Sequence, residues 1–291
     1  MTGDPRSVRA SSKAPVLLLL LAAALASCMP PSWAAKAILH PQRRPVTQIP
    51  AEPHEDLTVE GEGGVTLRGW RFRTSASRRG VIVCLHGIAN NRESCHGLVR
   101  RFGPRGYDLV AFDLRAHGQS GGEACTYGYY EKHDLRRVLD ALGEQQVVLF
   151  GVSLGAAVAF QEAADDPRVT AIVSVSTFAD LRTVARDRAP FIASEAQIRT
   201  AFALVEKEGR FVVDEASPVR AASRIRVPVL LLHGAADDET RPLHSQRVHD
   251  ALAGPKRLVM IPGAKHRGVL TEAAWETITD WVLGHAPPLF P

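Results

Sequence analysis

The sequence carries little net charge and has no internal repeat. Lysine and arginine account for 35 of its 291 residues against 31 aspartates and glutamates, which gives a formal charge of +4. Without the charged residues of the first 27 positions the value falls to about +2, too weak and too scattered for a nucleic-acid surface. We therefore expect no nucleic-acid partner, and no repeat or heptad supports a purely structural role.

Sequence patterns typical of metal and phosphate sites are also missing. The chain has neither a His-Glu-x-x-His nor a Cys-x-x-Cys spacing, so a zinc site is not expected. His244 and His249 are five residues apart on a predicted helix and do not share a face. The glycines near residues 118–122 are not followed by the Lys-Ser/Thr of a phosphate loop. We expect no metal and no cofactor.

No apolar run is long enough to cross a bilayer as a helix. Three basic residues precede the run Val16–Ala26, a pattern typical of a secretory signal peptide over residues 1–27. The run ends in LASC at 25–28, which resembles the lipobox of bacterial lipoproteins and implies cleavage before Cys28 and lipidation of that cysteine. The alternative is an ordinary signal peptide cleaved near Ala26, which would leave a soluble periplasmic or secreted protein.

Residues 28–55 contain six prolines and little apolar periodicity. We interpret them as an extended tether that holds a domain away from a membrane surface. Met29 after Cys28 does not resemble an inner-membrane retention signal, which favours an outer-membrane location in the bacterial envelope.

From about Asp56 onward, predicted strands and helices alternate. Val81–Leu85 and Val147–Phe150 are short continuous apolar runs, the form expected of strands buried on both faces. After an opening hairpin, the alternation predicts an α/β fold with a mostly parallel central sheet flanked by helices. Residues 56–286 suit one such domain, with 287–291 as a tail. The other predicted strands are Leu57–Val59, Val65–Phe72, Asp108–Asp113, Thr170–Val175, Val229–Leu232 and Arg257–Ile261.

Residues 177–226 interrupt this alternation after the sixth strand. Helical stretches are predicted at about 180–188 and 195–208, with a break at Pro190. We expect a small lid above the carboxyl ends of the strands, too short to be a second domain. Its apolar residues are Leu181, Val184, Phe191, Ile192, Ile198, Phe202, Leu204 and Val205.

The stretch Val147–Gly155, VVLFGVSLG, is the most informative part of the chain. This stretch combines an apolar strand, the pattern Gly-x-Ser-x-Gly and small residues that begin a helix. Together these features hold a serine hydroxyl on a sharp strand-to-helix turn. Gly151 and Gly155 let the backbone crowd around Ser153. A glycine-rich turn with an idle serine is the alternative.

A serine hydroxyl needs a neighbouring base, and the base needs a group that orients it. The strand Val229–Leu232 leads into Asp237 and Asp238, and the strand Arg257–Ile261 leads into His266. Parallel strands deliver such loops to one edge of the sheet. Spacing from His233-Gly234 favours Asp237 as the acid, with Asp238 as the alternative.

These motifs resemble those of the α/β-hydrolase superfamily, close to its serine aminopeptidase (S33) and monoacylglycerol-lipase-like branch. The resemblance implies that Ser153 is the nucleophile, Asp237 the acid and His266 the base. It also implies that the backbone N–H groups of Ile88 and Leu154 bind the oxyanion. The matching stretches are LHGI at 85–88, DLRAHGQS at 113–120, GVSLG at 151–155, HGAAD at 233–237 and His266.

Several other polar residues near these motifs have structural interpretations. His86 and His117 match structural positions of the family, so we expect their imidazoles to organise loops through hydrogen bonds. Arg115, next to Asp113, is interpreted as part of a structural ion pair and not as a substrate clamp. Cys84 lies in an apolar run and is predicted to be a packed thiol in the core. Cys95 and Cys125 could form a disulfide in an exported protein, and the sequence leaves that open.

The lid's apolar composition favours a serine hydrolase that cleaves carboxylic esters, with an acyl chain or another hydrophobic group in the pocket. The alternative is an aminopeptidase or amidase, which would need acids near the site for the substrate ammonium. Glu195, Glu206 and Glu208 are candidates, although a solvated helix face also explains them. A second alternative is a catalytically silent envelope binding module. The expected partners are a small ester or acyl substrate and, through Cys28, a membrane.

Overall fold

A single eight-stranded sheet forms the centre of the computed structural model, which describes residues 30–190 and 193–285. The strand order is β1-β2-β4-β3-β5-β6-β7-β8. β1 and β2 form the predicted antiparallel hairpin, β2 is antiparallel to β4, and every other neighbouring pair is parallel. The strands are β1 (Glu55–Glu60), β2 (Thr66–Phe72), β3 (Gly80–Leu85), β4 (Tyr107–Phe112), β5 (Val147–Val152), β6 (Val169–Val175), β7 (Val229–Gly234) and β8 (Lys256–Ile261).

Helices cover both faces of this sheet and explain its apolar strands. All residues of β3, β4 and β7 are buried, which is why these strands read as continuous apolar runs and not as alternating ones. Two hydrophobic clusters, one on each face, form the core. The helices are α1 (Pro31–Leu39), α2 (His96–Phe102), α3 (Glu131–Leu142), α4 (Leu154–Ala163), α5 (Leu181–Arg188), α6 (Glu195–Gly209), α7 (Pro218–Ala222), α8 (Leu243–Ala251) and α9 (Glu272–His285). The predicted α/β-hydrolase architecture is confirmed.

The lid is formed by α5 and α6, which lie between β6 and β7 as the sequence predicts. Asp180 caps α5, and Ser194 with Gln197 forms a capping box at the start of α6. The lid does not extend to residue 226 as predicted. Helix α7, near the end of that interval, packs against α4 and α8 and is part of the layer beneath the lid.

The proline-rich segment is not an extended tether over the part that the structure describes. Pro31–Leu39 form helix α1, and its buried Ala35 and Leu39 belong to the core as α1 packs against lid helix α6. Proline is tolerated in the first helical turn, where its missing N–H has no intrahelical partner. The tether prediction is wrong here, since burial of Ala35 and Leu39 stabilises a helix that the prolines allow.

The chain between α1 and β1 also lies against the domain. The Arg43 guanidinium donates to the carbonyl oxygens of Ser120 and Gly122 at 2.5 and 2.7 Å. The Glu93 carboxylate accepts the backbone N–H of Thr47 at 2.5 Å. These contacts hold the segment in place beside the sheet's carboxyl edge.

The disulfide joins Cys84 to Cys95, so pairing of Cys95 with Cys125 and a free thiol at Cys84 are both wrong. The loop after β3 folds back and brings the two Cα atoms to 6.0 Å, within the range that a disulfide spans. Cys125 is buried and free, and burial raises the pKa of its thiol.

Several predictions fall outside the described residues. They concern the signal peptide, Cys28, the lid residues Phe191 and Ile192, and the tail 287–291. Across residues 30–190 and 193–285, no helix has the length and apolarity that crossing a membrane requires.

Candidate active site

Ser153 lies on the turn between β5 and α4 in a conformation that few non-glycine residues adopt. Its φ and ψ are 52° and −109°, and its N–H donates to the carbonyl oxygen of Val175 at 2.8 Å. A β carbon on Gly155 would lie 2.1 Å from the carbonyl oxygen of Leu85, and one on Gly151 would lie 2.4 Å from the next helix's backbone. The turn therefore requires glycine on both sides of a strained serine.

The three side chains predicted to meet do so at the carboxyl edge of the sheet. Ser153 Oγ lies 3.1 Å from Nε2 of His266, and Nδ1 of His266 lies 2.7 Å from Oδ2 of Asp237. A neutral imidazole with its proton on Nδ1 satisfies both contacts, since it donates to the carboxylate and accepts from the serine hydroxyl. The arrangement can move a proton from Ser153 to His266 when a substrate is attacked.

Asp237 is held as a carboxylate by donors on several sides. Its Oδ1 accepts the backbone N–H groups of Glu239 and Thr240 at 3.0 and 2.8 Å, and His233 Nε2 lies 3.1 Å from Oδ2. Burial alone would raise the pKa of Asp237, but the hydrogen bonds from His233, His266 and Thr240 outweigh it and hold this pKa well below its usual range.

Asp238 points away from the imidazole. It is exposed and pairs with Lys265 at 3.1 Å. Between the two adjacent aspartates, Asp237 is therefore the one in contact with His266.

His86 and His117 occupy buried positions next to this edge, as the sequence suggested. His86 Nε2 accepts the N–H of Leu114 at 3.0 Å, and its Nδ1 lies 2.8 Å from the carbonyl oxygen of Gly87. Burial, followed by the neighbouring His117, lowers the pKa of His86 to about 3, so this imidazole is neutral. It fixes the loop that carries Ile88, which lines the cavity at Ser153 and a second, neighbouring cavity.

Arg115 is part of an ion pair, as predicted, but its partner is not the neighbouring Asp113. Arg115 pairs with Asp134 at 2.6 Å, and Asp113 pairs with Arg92 at 2.5 Å. All four side chains are buried, so these pairs are structural. Among the residues that the structure describes, no cluster of three or more His, Cys, Asp or Glu could hold a metal.

The structure has one cavity at Ser153 and a second cavity that shares lining residues with it. One, of about 550 Å³, is lined by Ser153 and His266, and the other, of about 370 Å³, lies between α1 and the lid helices. Ile88 and Arg188 line both. The second cavity is mainly apolar, with walls that include Pro31, Ala34, Ile38, Leu181, Val184 and Phe202.

Sequence reasoning missed the charged residues of the larger cavity. Arg44, Arg188 and Arg267 line it together with one carboxylate, Glu239. They come from three distant parts of the chain, so no local pattern signals them.

The lid acids considered for binding an ammonium group lie elsewhere. Glu195 pairs with Arg186, and Glu206 accepts the N–H of Val213 at 3.1 Å. Neither they nor Glu208 are among the described residues that line the two cavities.

Comparisons with known proteins agree with this architecture. Residues 80–224 match the family model of the α/β hydrolase fold. The chain is 27% identical to the uncharacterised protein YqkD of Bacillus subtilis over 70% of each chain. It is 28% identical to 2,6-dihydropseudooxynicotine hydrolase of Paenarthrobacter nicotinovorans over 70% of this chain and 56% of that protein. The esterase Pf2001 of Pyrococcus furiosus superimposes with a TM-score of 0.70 at 20% identity, covering 86% of this chain and 98% of the esterase. By fold, therefore, the chain belongs with the α/β hydrolases.

Proposed function

We propose that the protein is a serine hydrolase that cleaves carboxylic esters. The observation that carries this proposal is the continuous hydrogen-bonded chain from Ser153 through His266 to Asp237. A hydroxyl, an imidazole and a carboxylate in this order are what acyl transfer at a serine requires. The motifs around them resemble the serine aminopeptidase and monoacylglycerol-lipase-like branch of the family.

In the proposed reaction, Ser153 Oγ attacks the ester carbonyl while His266 Nε2 takes its proton. Asp237 stabilises the imidazolium that results. The tetrahedral intermediate collapses, the bond to the alcohol breaks, and the alcohol leaves with the proton from His266. A water molecule then attacks the acyl-enzyme with His266 as base, which releases the acid and restores Ser153.

The developing oxyanion needs donors that are fixed before the reaction. We assign this role to the backbone N–H groups of Leu154, the first residue of α4, and of Ile88. The turn at Ser153 and the buried imidazole of His86 hold these two segments in place. Each such donor contributes roughly 3 to 4 kcal/mol to stabilisation of the transition state.

Esters are favoured over peptides with a free N-terminus because of charge. An aminopeptidase needs a carboxylate for the substrate ammonium, whereas the described lining of the catalytic cavity has three arginines and one glutamate. The neighbouring apolar cavity suits an acyl group.

A fluorophosphonate probe tests the proposal directly. We expect stoichiometric labelling of Ser153 in the wild-type protein and none in Ser153→Ala. The same variant should lose on the order of 10⁴ to 10⁶ in turnover of a p-nitrophenyl ester, because the three groups act as a unit. An unlabelled wild-type protein would indicate the silent binding module, and a Ser153→Ala variant with a tenth of wild-type activity would refute the mechanism.

We also propose export and lipidation at Cys28, with the domain held at a bacterial membrane. The basic and apolar leader and its LASC ending support this, and so does the Cys84–Cys95 disulfide, since disulfides persist in oxidising compartments.

A further inference from the structure

The loop between β7 and α8, residues 235–242, carries the proposed acid. Within it, Asp237 Oδ1 accepts the backbone N–H groups of Glu239 and Thr240 at 3.0 and 2.8 Å. The other carboxylate oxygen, Oδ2, lies 2.7 Å from Nδ1 of His266. Because a carboxylate is planar, the two donors to Oδ1 set the direction in which Oδ2 points. The placement of residues 239 and 240 therefore decides how well Asp237 is aimed at the imidazole.

Arg188, the last residue of lid helix α5, binds the same two residues of this loop. Its Nε donates to the carbonyl oxygen of Glu239 at 2.8 Å, and its Nη2 donates to Thr240 Oγ1 at 2.7 Å. A guanidinium holds its donors in one rigid plane, so it fixes the two residues relative to each other as well as to the lid. Both acceptors are uncharged oxygens, which makes these contacts a geometric link between the lid and the loop.

Thr240 is the buried end of this link, with 1% of its surface exposed. Its carbonyl oxygen lies 2.8 Å from Nε2 of His233, and the same nitrogen lies 3.1 Å from Oδ2 of Asp237. The hydroxyl of Thr240 thus contacts the lid, its N–H contacts the acid, and its carbonyl contacts the histidine beside the acid. A shift of Thr240 would disturb the surroundings of both carboxylate oxygens at once.

Helix α5 is also fixed to α8, the helix that follows this loop. Asp180, which caps α5, pairs with Arg247 at 3.0 Å, and Asp187 lies 3.3 Å from Nε2 of His244. Lid helix α6 packs against α1 instead. The half of the lid formed by α5 is therefore anchored beside the acid, and Arg188 is its residue in the described lining of the catalytic cavity.

We propose that Arg188 is a positioning residue, through which the lid holds Asp237 in the orientation that His266 needs. This inference rests on the proposed function, because it concerns the step in which His266 takes the proton of Ser153. Asp237 must face Nδ1 at that moment to stabilise the imidazolium. Arg188 acts on this step through residues 239 and 240 and not by binding the substrate.

Substrate binding is the competing role, since Arg188 lines the catalytic cavity. The two roles affect different kinetic constants. Loss of a positioning residue lowers kcat, because the imidazolium forms only as the serine attacks. Loss of a substrate contact that is equally strong before and during attack raises KM and leaves kcat unchanged.

The first test replaces Arg188 with glutamine, whose shorter side chain cannot reach both acceptors. With p-nitrophenyl acetate as the substrate, we expect Arg188→Gln to lower kcat on the order of tenfold and to change KM by less than about twofold. Arg186→Gln is the matched control and should keep the wild-type kcat and KM. Arg186 is an exposed arginine of the same helix that pairs with Glu195 and lies outside the described lining of both cavities.

A double-mutant cycle shows whether Arg188 acts through the acid. In the Asp237→Asn background, Arg188→Gln should change kcat by less than about twofold, because the carboxylate that it positions is no longer present. A tenfold loss that persists in Asp237→Asn would overturn the positioning role. A loss that appears in KM would overturn it as well and assign Arg188 to substrate binding.

Thr240 provides a second test that leaves the lid unchanged. Thr240→Ser keeps a hydroxyl that can accept from Arg188, whereas Thr240→Val keeps the shape and removes the acceptor. We expect kcat of Thr240→Val to be several-fold lower than that of Thr240→Ser, with little further loss when Arg188→Gln is added to Thr240→Val. Equal kcat values in the serine and valine variants would contradict the proposal even if Arg188→Gln failed to fold.

Fluorophosphonate labelling of the same protein samples separates this role from the proposed function. Labelling of wild-type Ser153, together with an unchanged kcat in Arg188→Gln, refutes only the positioning role. Absence of labelling in the wild-type protein refutes the hydrolase itself.

Discussion

Asp237 binds the imidazole of His266 through one carboxylate oxygen and two backbone N–H groups through the other. Replacing Asp237 with asparagine removes the negative charge that stabilises the imidazolium. The amide can also donate to Nδ1 of His266, which would favour the wrong tautomer of the imidazole. We expect Asp237→Asn to lower kcat by on the order of 10³ to 10⁴. Asp238→Asn is the matched control, since Asp238 is exposed and pairs only with Lys265 among the described residues. Ester hydrolysis rates of the two variants decide the acid, and a larger loss in Asp238→Asn would reverse the assignment.

Glu162 on α4 is a buried carboxyl far from the proposed chemistry. Burial raises its pKa to about 7, and this effect outweighs the pairing with Arg136 at 2.8 Å. The folded protein therefore binds a proton at Glu162 more tightly than the unfolded chain does, whose ordinary pKa is 4.5. The stability that proton binding at Glu162 gives the folded state is fully present below pH 4.5 and is lost as the pH rises through 7. The free energy of unfolding changes by on the order of 3 kcal/mol over this range.

Glu162→Gln should remove that pH dependence because glutamine does not ionise. Thermal unfolding between pH 5 and 8 checks this: the wild-type melting temperature should fall relative to that of the variant as the pH rises. Parallel pH profiles of the two proteins would contradict the raised pKa.

The proposed catalytic side chains could be predicted individually because each follows a strand with a strong pattern. Ser153, Asp237 and His266 all come after apolar runs whose carboxyl ends meet at one edge. The arginines of the catalytic cavity could not be predicted in this way. Arg44 and Arg267 reach the same space only through the packed fold, and neither lies in a pattern that marks it.

The loop between β3 and α2 is closed by the Cys84–Cys95 disulfide, and it contains Ile88, one of the two proposed oxyanion donors. Linking residues 11 apart restricts the unfolded chain and holds the loop over the sheet edge. Replacing both cysteines with alanine should lower stability by about 2 to 3 kcal/mol and slow fluorophosphonate labelling of Ser153. Denaturant unfolding and labelling rates measure the two effects.

Cys125→Ala serves as the comparison, since this thiol is buried and unpaired. It should change labelling little and leave the disulfide intact. If the Cys84/Cys95 double variant labels at the wild-type rate, the disulfide has no part in positioning Ile88.

Helix α1 shows why some elements escape prediction from sequence. Its own residues give a short apolar stretch among prolines, which is compatible with an extended chain as well as with a helix. The helix is stabilised by contacts with α6, about 160 residues away along the sequence, through buried Ala35 and Leu39. The buried parallel strands β3, β5 and β7, in contrast, are each marked in the sequence by their own apolar run.

The whole protein is proposed to sit at a membrane through Cys28. Cells that express it and grow with a clickable fatty acid should incorporate the label into the wild-type protein and not into Cys28→Ala. Fractionation should then place the variant in the soluble periplasmic or secreted fraction. Label that survives in Cys28→Ala, or is missing from the wild type, would contradict lipidation at this residue.

The position of α1 has a practical consequence for anyone who produces this enzyme. An expression boundary drawn just before β1, where the regular alternation of strands and helices starts, would discard Pro31, Ala34 and Ile38 and open one side of the apolar cavity to water. Such a shortened protein would keep Ser153, His266 and Asp237 and could still turn over small chromogenic esters. A screen based on it would miss the contribution of α1 to substrate selectivity, so the residues from Pro30 onward should be retained when substrates are sought.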